Sequence, residues 1–252
     1  MLVNQPFFLK GSAPDRACLS LHGLGGGAYE MRELAEHLQG QGLTVQGILY
    51  PGHDRPAAQM PASTWQQWYA ASLEAYQELA QTYPQVDVVG FSTGCLLGLH
   101  LAAAYPLQKL VCLCPFFTIY RPAYVPVPVE LLAQTIGYLL PTVPRLHFPI
   151  RNPQMQQQAR EAAFFPSFNL AAVRSALALI QIVKPELSQV TCPTLIMQTW
   201  GDRVVNPQGA QFLYDRLGSE TKELQWLERS DHIITLDDEK EAVFAAVAKF
   251  LA

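Results

Sequence analysis

No stretch of about 18 consecutive apolar residues occurs in this sequence, so no segment is expected to span a bilayer. Charge is also sparse. Charged residues make up 15% of the 252 positions, and 17 basic against 21 acidic residues leave a net charge of −4. With no basic stripe or run, nucleic acid is not an expected partner. Repeats and low-complexity tracts are missing. Cysteine is scarce and odd in number: Cys18, Cys95, Cys112, Cys114 and Cys192, with no C-x-x-C pair. That disfavours a disulfide framework or a zinc ribbon. Cys112 and Cys114 would face opposite sides of a strand, so a shared metal is not expected there. Buried free thiols suit a reducing compartment. The N-terminus shows no basic region followed by an apolar run, and a cytoplasmic location is expected. Neither G-x-x-x-x-G-K-[ST] nor G-x-G-x-x-G occurs, so no phosphate cradle and no cofactor are predicted.

What is present is apolar. Half of the residues are hydrophobic, enough to bury a large core in one domain. Strand-like runs at Phe7–Lys10, Arg16–Leu21, Thr44–Leu49, Val86–Val89, Lys109–Leu113, Cys192–Thr199 and Lys222–Leu227 alternate with helical patterns. The helices are expected at Tyr29–Gln39, after Ser63, at Cys95–Tyr105, at Gln208–Leu217 and from about Asp238 to Leu251. Ser63 and Gln66 look like a capping box for the second helix. Alternation of this kind predicts an α/β protein whose mostly parallel sheet carries helices on both faces. Functional groups should then gather at the carboxyl ends of the strands.

Alternation stops at Pro115. The composition shifts over 121–168 to proline, glutamine and aromatics, and helices are expected near Glu130–Leu140, Gln154–Ala163 and from an Asn169 N-cap to Val183. The chain therefore divides into a core of 1–114 and 191–252 and a helical cap of 115–190. A long apolar insertion over the functional end of a sheet suits a lid above an apolar ligand.

One stretch concentrates the chemistry. An apolar strand enters Gly90-Phe91-Ser92-Thr93-Gly94, and an Ala- and Leu-rich helix follows. G-x-S-x-G alone is also a common Gly-Ser turn. Between a strand and a helix it has the context of a nucleophile elbow, with the Ser92 hydroxyl exposed above the sheet. A second glycine cluster, His22-Gly23-Leu24-Gly25-Gly26-Gly27, ends a strand and can turn backbone N–H groups inward as an oxyanion hole requires. His22 itself is read as a structural hydrogen bonder. A serine hydroxyl needs a base, and the base an acid. Of six histidines only His232 follows a late strand and precedes the last helix. Asp202, in the Gly201-Asp202 turn, is by position alone equally a turn aspartate. Together Ser92, Asp202 and His232 give the chain order Ser…Asp…His. Asp231 adjoins His232, but adjacent residues seldom reach each other's ring nitrogen in triad geometry.

The segments His22-Gly-Leu-Gly, Tyr50-Pro-Gly-His53, Gly90-Phe-Ser-Thr-Gly94, Cys192-Pro-Thr-Leu-Ile, Gly201-Asp-Arg-Val-Val-Asn-Pro207 and Ser230-Asp-His-Ile-Ile-Thr-Leu-Asp237 resemble the α/β-hydrolase superfamily. They are most similar to small bacterial carboxylesterases related to monoacylglycerol lipases. The resemblance covers nearly the whole chain apart from the cap. It implies Ser92 as nucleophile, His232 as base, Asp202 as orienting acid, and the backbone N–H groups of Leu24 and Thr93 as oxyanion donors. It also implies a metal-free serine hydrolase acting on short- to medium-chain acyl esters or monoacylglycerols. A thioesterase, an acyltransferase or a hydrolase-like receptor with little turnover could use the same triad. Asp54 stands where relatives commonly carry glycine, as does Asp231, and Cys95 replaces glycine or alanine. Asp54 and Asp231, if close, would raise the basicity of His232 or disfavour anionic substrates.

Overall fold

Short, mostly apolar runs pair into one seven-stranded sheet. The computed structural model describes residues 1–121, 131, 135 and 140–252. Strands β1 (Phe7–Leu9), β2 (Arg16–Leu21), β3 (Thr44–Gly47), β4 (Gln85–Phe91) and β5 (Leu110–Leu113) precede the insertion. Within it, β6 (Thr142–Pro144) and β7 (Ser167–Asn169) form a separate antiparallel pair; β8 (Thr194–Thr199) and β9 (Lys222–Leu227) complete the main sheet. Its order is β1-β3-β2-β4-β5-β8-β9, with only β1 antiparallel.

Strand burial follows the two-residue period. In β5, Leu110 and Cys112 face one core and Val111 and Leu113 the other; Ile196 of β8 opposes Leu195 and Met197. Helices α1 (Tyr29–Gly40) and α7 (Lys240–Leu251) cover one face. The other is covered by α2 (Trp65–Thr82), α3 (Thr93–Ala104), α5 (Leu170–Glu186) and α6 (Gln208–Arg216). Helix α3 is buried almost all round, from Thr93 through Leu99, as its uniformly apolar sequence requires. No helix among the described residues is long and apolar enough to cross a membrane.

Three local expectations are corrected. The N-cap of α2 is Thr64, whose hydroxyl and Gln67 form the capping box. Ser63 is not free for that role, because its Oγ accepts from the buried Trp68 Nε1 at 2.9 Å. The last helix begins at Lys240 rather than Asp238, since the Asp237 carboxylate is spent on backbone N–H groups of neighbouring loops. The insertion contains the β6–β7 pair besides helices α4 (Pro153–Ala162) and α5. Asn169 does cap α5, accepting from the N–H groups of Ala171 and Ala172. Tyr124, the prolines from 122 to 128 and most of the helix expected near Glu130–Leu140 lie outside the described residues.

Strand order explains where chemistry collects. From β2 the chain winds outward to β3, then crosses back to β4 on the other side of β2. The β2/β4 junction is the topological switch point, where the loops leave in opposite directions and open a crevice at the carboxyl ends. The glycine loop follows β2 and Ser92 follows β4.

Candidate active site

The elbow is tight because both glycines lie against backbone. A Cβ on Gly90 would sit 2.5 Å from the Gly94 carbonyl oxygen, and one on Gly94 2.3 Å from that of Leu21. Between them Ser92 adopts φ 55° and ψ −115°, a conformation costly for any residue with a Cβ. Its backbone is held by Ser92 N–H to Leu113 O at 2.8 Å and by Cys95 N–H to Ser92 O at 3.1 Å. The hydroxyl thereby points away from the sheet toward the loop after β9.

That loop carries His232, whose Nε2 lies 3.0 Å from Ser92 Oγ and whose Nδ1 lies 2.7 Å from Asp202 Oδ2. All three side chains are buried. Asp202 Oδ1 accepts from the N–H groups of Val204 and Val205 at 2.9 and 2.8 Å, and Oδ2 also accepts from Gln198 Nε2 at 2.9 Å. Burial alone would push this carboxyl up, but His232 beside it and these donors outweigh burial and hold it below the ordinary range. An ionised carboxylate only accepts, so Nδ1 carries the imidazole proton. Nε2 is then bare and faces the serine hydroxyl as an acceptor.

Leu24 and Thr93 both border the same cavity as Ser92 and His232. Its volume is about 560 Å³, and Phe116, Ile119, Val143, Leu170 and Val204 give it an apolar wall. His22 is buried, with its Nδ1 2.8 Å from Gly23 O and its ring tilted against Tyr50 at 4.0 Å between centroids. The Asp231 carboxylate is bonded elsewhere than to the His232 ring. Arg203 Nε donates to its Oδ2 at 2.7 Å, and the N–H groups of Arg203 and His232 donate to Oδ1, so its charge is paired. Asp54 is exposed and borders no part of the cavity. Cys95 is wholly buried, its Sγ 3.2 Å from the carbonyl oxygens of Gly90 and Leu113.

Among the described residues one set of donor atoms is compact enough for a metal: those of Cys114, Asp202 and His232 lie within 4.8 Å of one another. Asp202 Oδ2 and His232 Nδ1 already bond each other, however. Burial, with Asp202 nearby, pushes the Cys114 thiol far up, so it is a neutral thiol and a poor ligand.

Two titratable groups here had no role assigned from sequence, although His53 belongs to the Tyr50-Pro-Gly-His53 segment. His53 is fully buried, and its Nε2 accepts the Gly25 N–H at 2.9 Å. Burial and the nearby Arg145 lower its pKa to about 4, keeping the ring neutral and able to accept. Glu30, at the start of α1, reaches under the glycine loop, and its Oε2 accepts the Gly23 N–H at 3.0 Å. Burial raises its pKa to about 7 from 4.5. A raised folded-state pKa gives stability that is complete below pH 4.5 and is lost as pH rises through about 7. Relative to the non-titrating Glu30→Gln variant, the parent should therefore lose about 3 kcal/mol of unfolding free energy across that interval. Denaturant unfolding of both proteins at several pH values checks this; a pH-independent difference would show that Glu30 does not titrate there.

The family model described as serine aminopeptidase S33 matches residues 12–239. A carboxylesterase of Bacillus subtilis (strain 168) is 27% identical over 256 aligned positions, covering 100% of this chain and 97% of the relative. A thermostable monoacylglycerol lipase of Bacillus sp. (strain H-257) is 28% identical over 249 positions, covering 98% and 94%. Among solved structures, a metagenome-derived lipolytic enzyme superposes with a TM-score of 0.87 at 25% identity, over 100% of this chain and 99% of its own. The monoacylglycerol lipase of Paleococcus ferrophilus shares the fold at TM-score 0.82 and 19% identity, with 98% of each chain covered. From the elbow, the strand order and the family match, the chain belongs to the serine aminopeptidase S33 family of α/β-hydrolases.

Proposed function

We propose that Ser92 is the nucleophile, His232 the general base and Asp202 the orienting acid of a carboxylic ester hydrolase. The hydrogen-bonded chain from Asp202 Oδ2 through His232 to Ser92 Oγ, at 2.7 and 3.0 Å beside an apolar cavity, carries this reading. His232 Nε2 takes the hydroxyl proton as Oγ adds to the acyl carbonyl. The negative charge moves to the carbonyl oxygen, where the N–H groups of Leu24 and Thr93 receive it. The helix α3 N-terminus lies directly behind and favours that charge. His232 returns the proton to the departing alcohol, and the same cycle with water releases the acid.

The apolar wall supports an acyl chain as the bound part of the substrate. The carboxylesterase and monoacylglycerol lipase relatives support short- to medium-chain esters or monoacylglycerols as the substrate class. Residues 115–190 serve as a cap over the site, since Val143, Phe168, Leu170 and Val173 border the cavity. Four buried free thiols, with Cys192 partly buried, fit a cytosolic enzyme.

Hydrolysis of p-nitrophenyl esters of rising acyl length, with 1-monoacylglycerols and an aminoacyl p-nitroanilide alongside, tests the reading. Turnover should peak at one short to medium length and be far weaker on the anilide. A folded protein inert on every ester would overturn it and turn attention to thioesters and to ligand capture.

A further inference from the structure

The glycine loop that presents the Leu24 N–H is tied amide by amide. The Gly23 N–H donates to Glu30, and the His22 carbonyl accepts from Tyr50 OH at 3.0 Å. The Gly25 N–H donates to His53 Nε2 and the Gly26 N–H to the Gly23 carbonyl at 3.2 Å. Among the described residues the Leu24 N–H has no such partner, which leaves it free to face the cavity.

One anchor of this loop comes from the insertion, 120 residues away in sequence. Arg145 follows β6, and its own N–H is fixed to the Pro166 carbonyl at 2.8 Å. Its guanidinium lies over the rings of Phe148 and Phe168, 4.8 and 4.5 Å from their centroids, and Nη2 donates to the Gly25 carbonyl. Gly25 has φ +66°, and a Cβ there would meet the Phe168 ring at 2.7 Å and Arg145 Nη2 at 2.9 Å. The insertion thus closes on the loop at a position where only glycine fits.

The consequence follows from planar amides. The Gly25 carbonyl and the Gly26 N–H share one rigid plane, and the Gly23 carbonyl and the Leu24 N–H share another. Arg145 fixes the first plane through its carbonyl, and the Gly26-to-Gly23 hydrogen bond couples the first plane to the second. We infer that Arg145 is a positioning residue: by holding the Gly25 carbonyl it sets the direction of the Leu24 N–H and couples seating of the insertion to assembly of the oxyanion site. This rests on the proposed ester hydrolase reading, in which Leu24 is an oxyanion donor. Arg145 also borders the cavity, so a neutral ester is the substrate on which its hold on the loop is read.

The test uses the parent, Arg145→Met, which keeps an apolar stem between the two rings, and Arg145→Lys, which keeps a cationic donor. Kinetics on the best ester are compared with binding of a trifluoromethyl ketone of matched chain length. Ser92 Oγ adds to that ketone's carbonyl, its proton passes to His232, and the resulting hemiketal oxyanion occupies the oxyanion site. The matching secondary alcohol reports binding without an oxyanion. Arg145→Met should lose about tenfold to a hundredfold in kcat and an equal factor in ketone affinity. KM and alcohol affinity should hold within about twofold, and Arg145→Lys should recover part of the loss. Unchanged kcat and ketone affinity would overturn the inference, as would equal weakening of ketone and alcohol. Should Arg145→Met not fold, Arg145→Lys carries the same comparison with a smaller expected loss. An inactive parent would instead strike at the ester hydrolase reading, and it is measured first.

Discussion

Ser92→Ala abolishes turnover on every ester the parent cleaves, a loss of about a millionfold in kcat, while the fold survives. A millionfold is about 8 kcal/mol of transition-state stabilisation, the size expected for loss of either the nucleophile or its base. The size follows from the chemistry: without Oγ no acyl-enzyme forms, and His232 can only assist water in a site built for a bonded nucleophile. The fold survives because the bonds that shape the elbow are backbone bonds, Ser92 N–H to Leu113 O and Cys95 N–H to Ser92 O. Alanine keeps them and keeps the Cβ. The strained φ of 55° supplies an internal check. Glycine relieves a conformation that costs about 1 to 3 kcal/mol with a Cβ, so Ser92→Gly should unfold at a higher temperature than Ser92→Ala despite glycine's entropy cost. Kinetics and calorimetry on the pair suffice. Turnover within about a hundredfold of the parent in either variant would remove Ser92 as nucleophile.

Asp202→Asn should lower kcat by about ten thousandfold with little change in KM. Asn can still accept from Val204 and Val205 with its carbonyl oxygen, which places its NH₂ where Oδ2 now accepts from Gln198 and His232. Donor then meets donor at Nδ1. The imidazole escapes by taking the other tautomer, with Nδ1 bare and the proton on Nε2. In that form Nε2 donates toward Ser92 and cannot take its proton. An amide flip of Gln198 would offer the new NH₂ its buried Oε1, which has no partner among the described residues, at the cost of the Nε2 bond to the Thr199 carbonyl. The geometry should therefore survive while the chemistry fails. Steady-state kinetics with a thermal unfolding control decides it: kcat within about tenfold of the parent would mean that Asp202 does not set the tautomer.

The features legible from sequence were those whose cause is local or fixed by chain order. Gly90 and Gly94 flank a serine between an apolar strand and an apolar helix, and both positions lie too close to backbone for a Cβ. Ser92, Asp202 and His232 follow β4, β8 and β9, three parallel strands, so the sheet brings them to one edge once its order is set. The alternation of strands with helices marks both sheet faces as covered, and β5 and β8 are buried along their whole length.

Tertiary structure decided what depends on contacts across the chain. Ser63 and Thr64 are both sound N-caps in isolation; Trp68 Nε1 takes the Ser63 hydroxyl and leaves the cap to Thr64. Three-residue strands such as β6 and β7 are too short to show a period, and they pair only because the insertion folds back on itself. Glu30 resembles any acidic residue in a first helical turn until α1 docks it beneath the glycine loop, where burial lifts its pKa to about 7. His53 becomes a neutral acceptor only once burial strips its solvent. Arg145 meets Gly25 across 120 positions, a contact that no periodicity, cap or turn preference encodes. The sequence by itself determined which atoms could react; only the packing of the insertion onto the glycine loop decided how the backbone N–H groups around them are held, because an amide's direction is set by its partners and not by its own side chain.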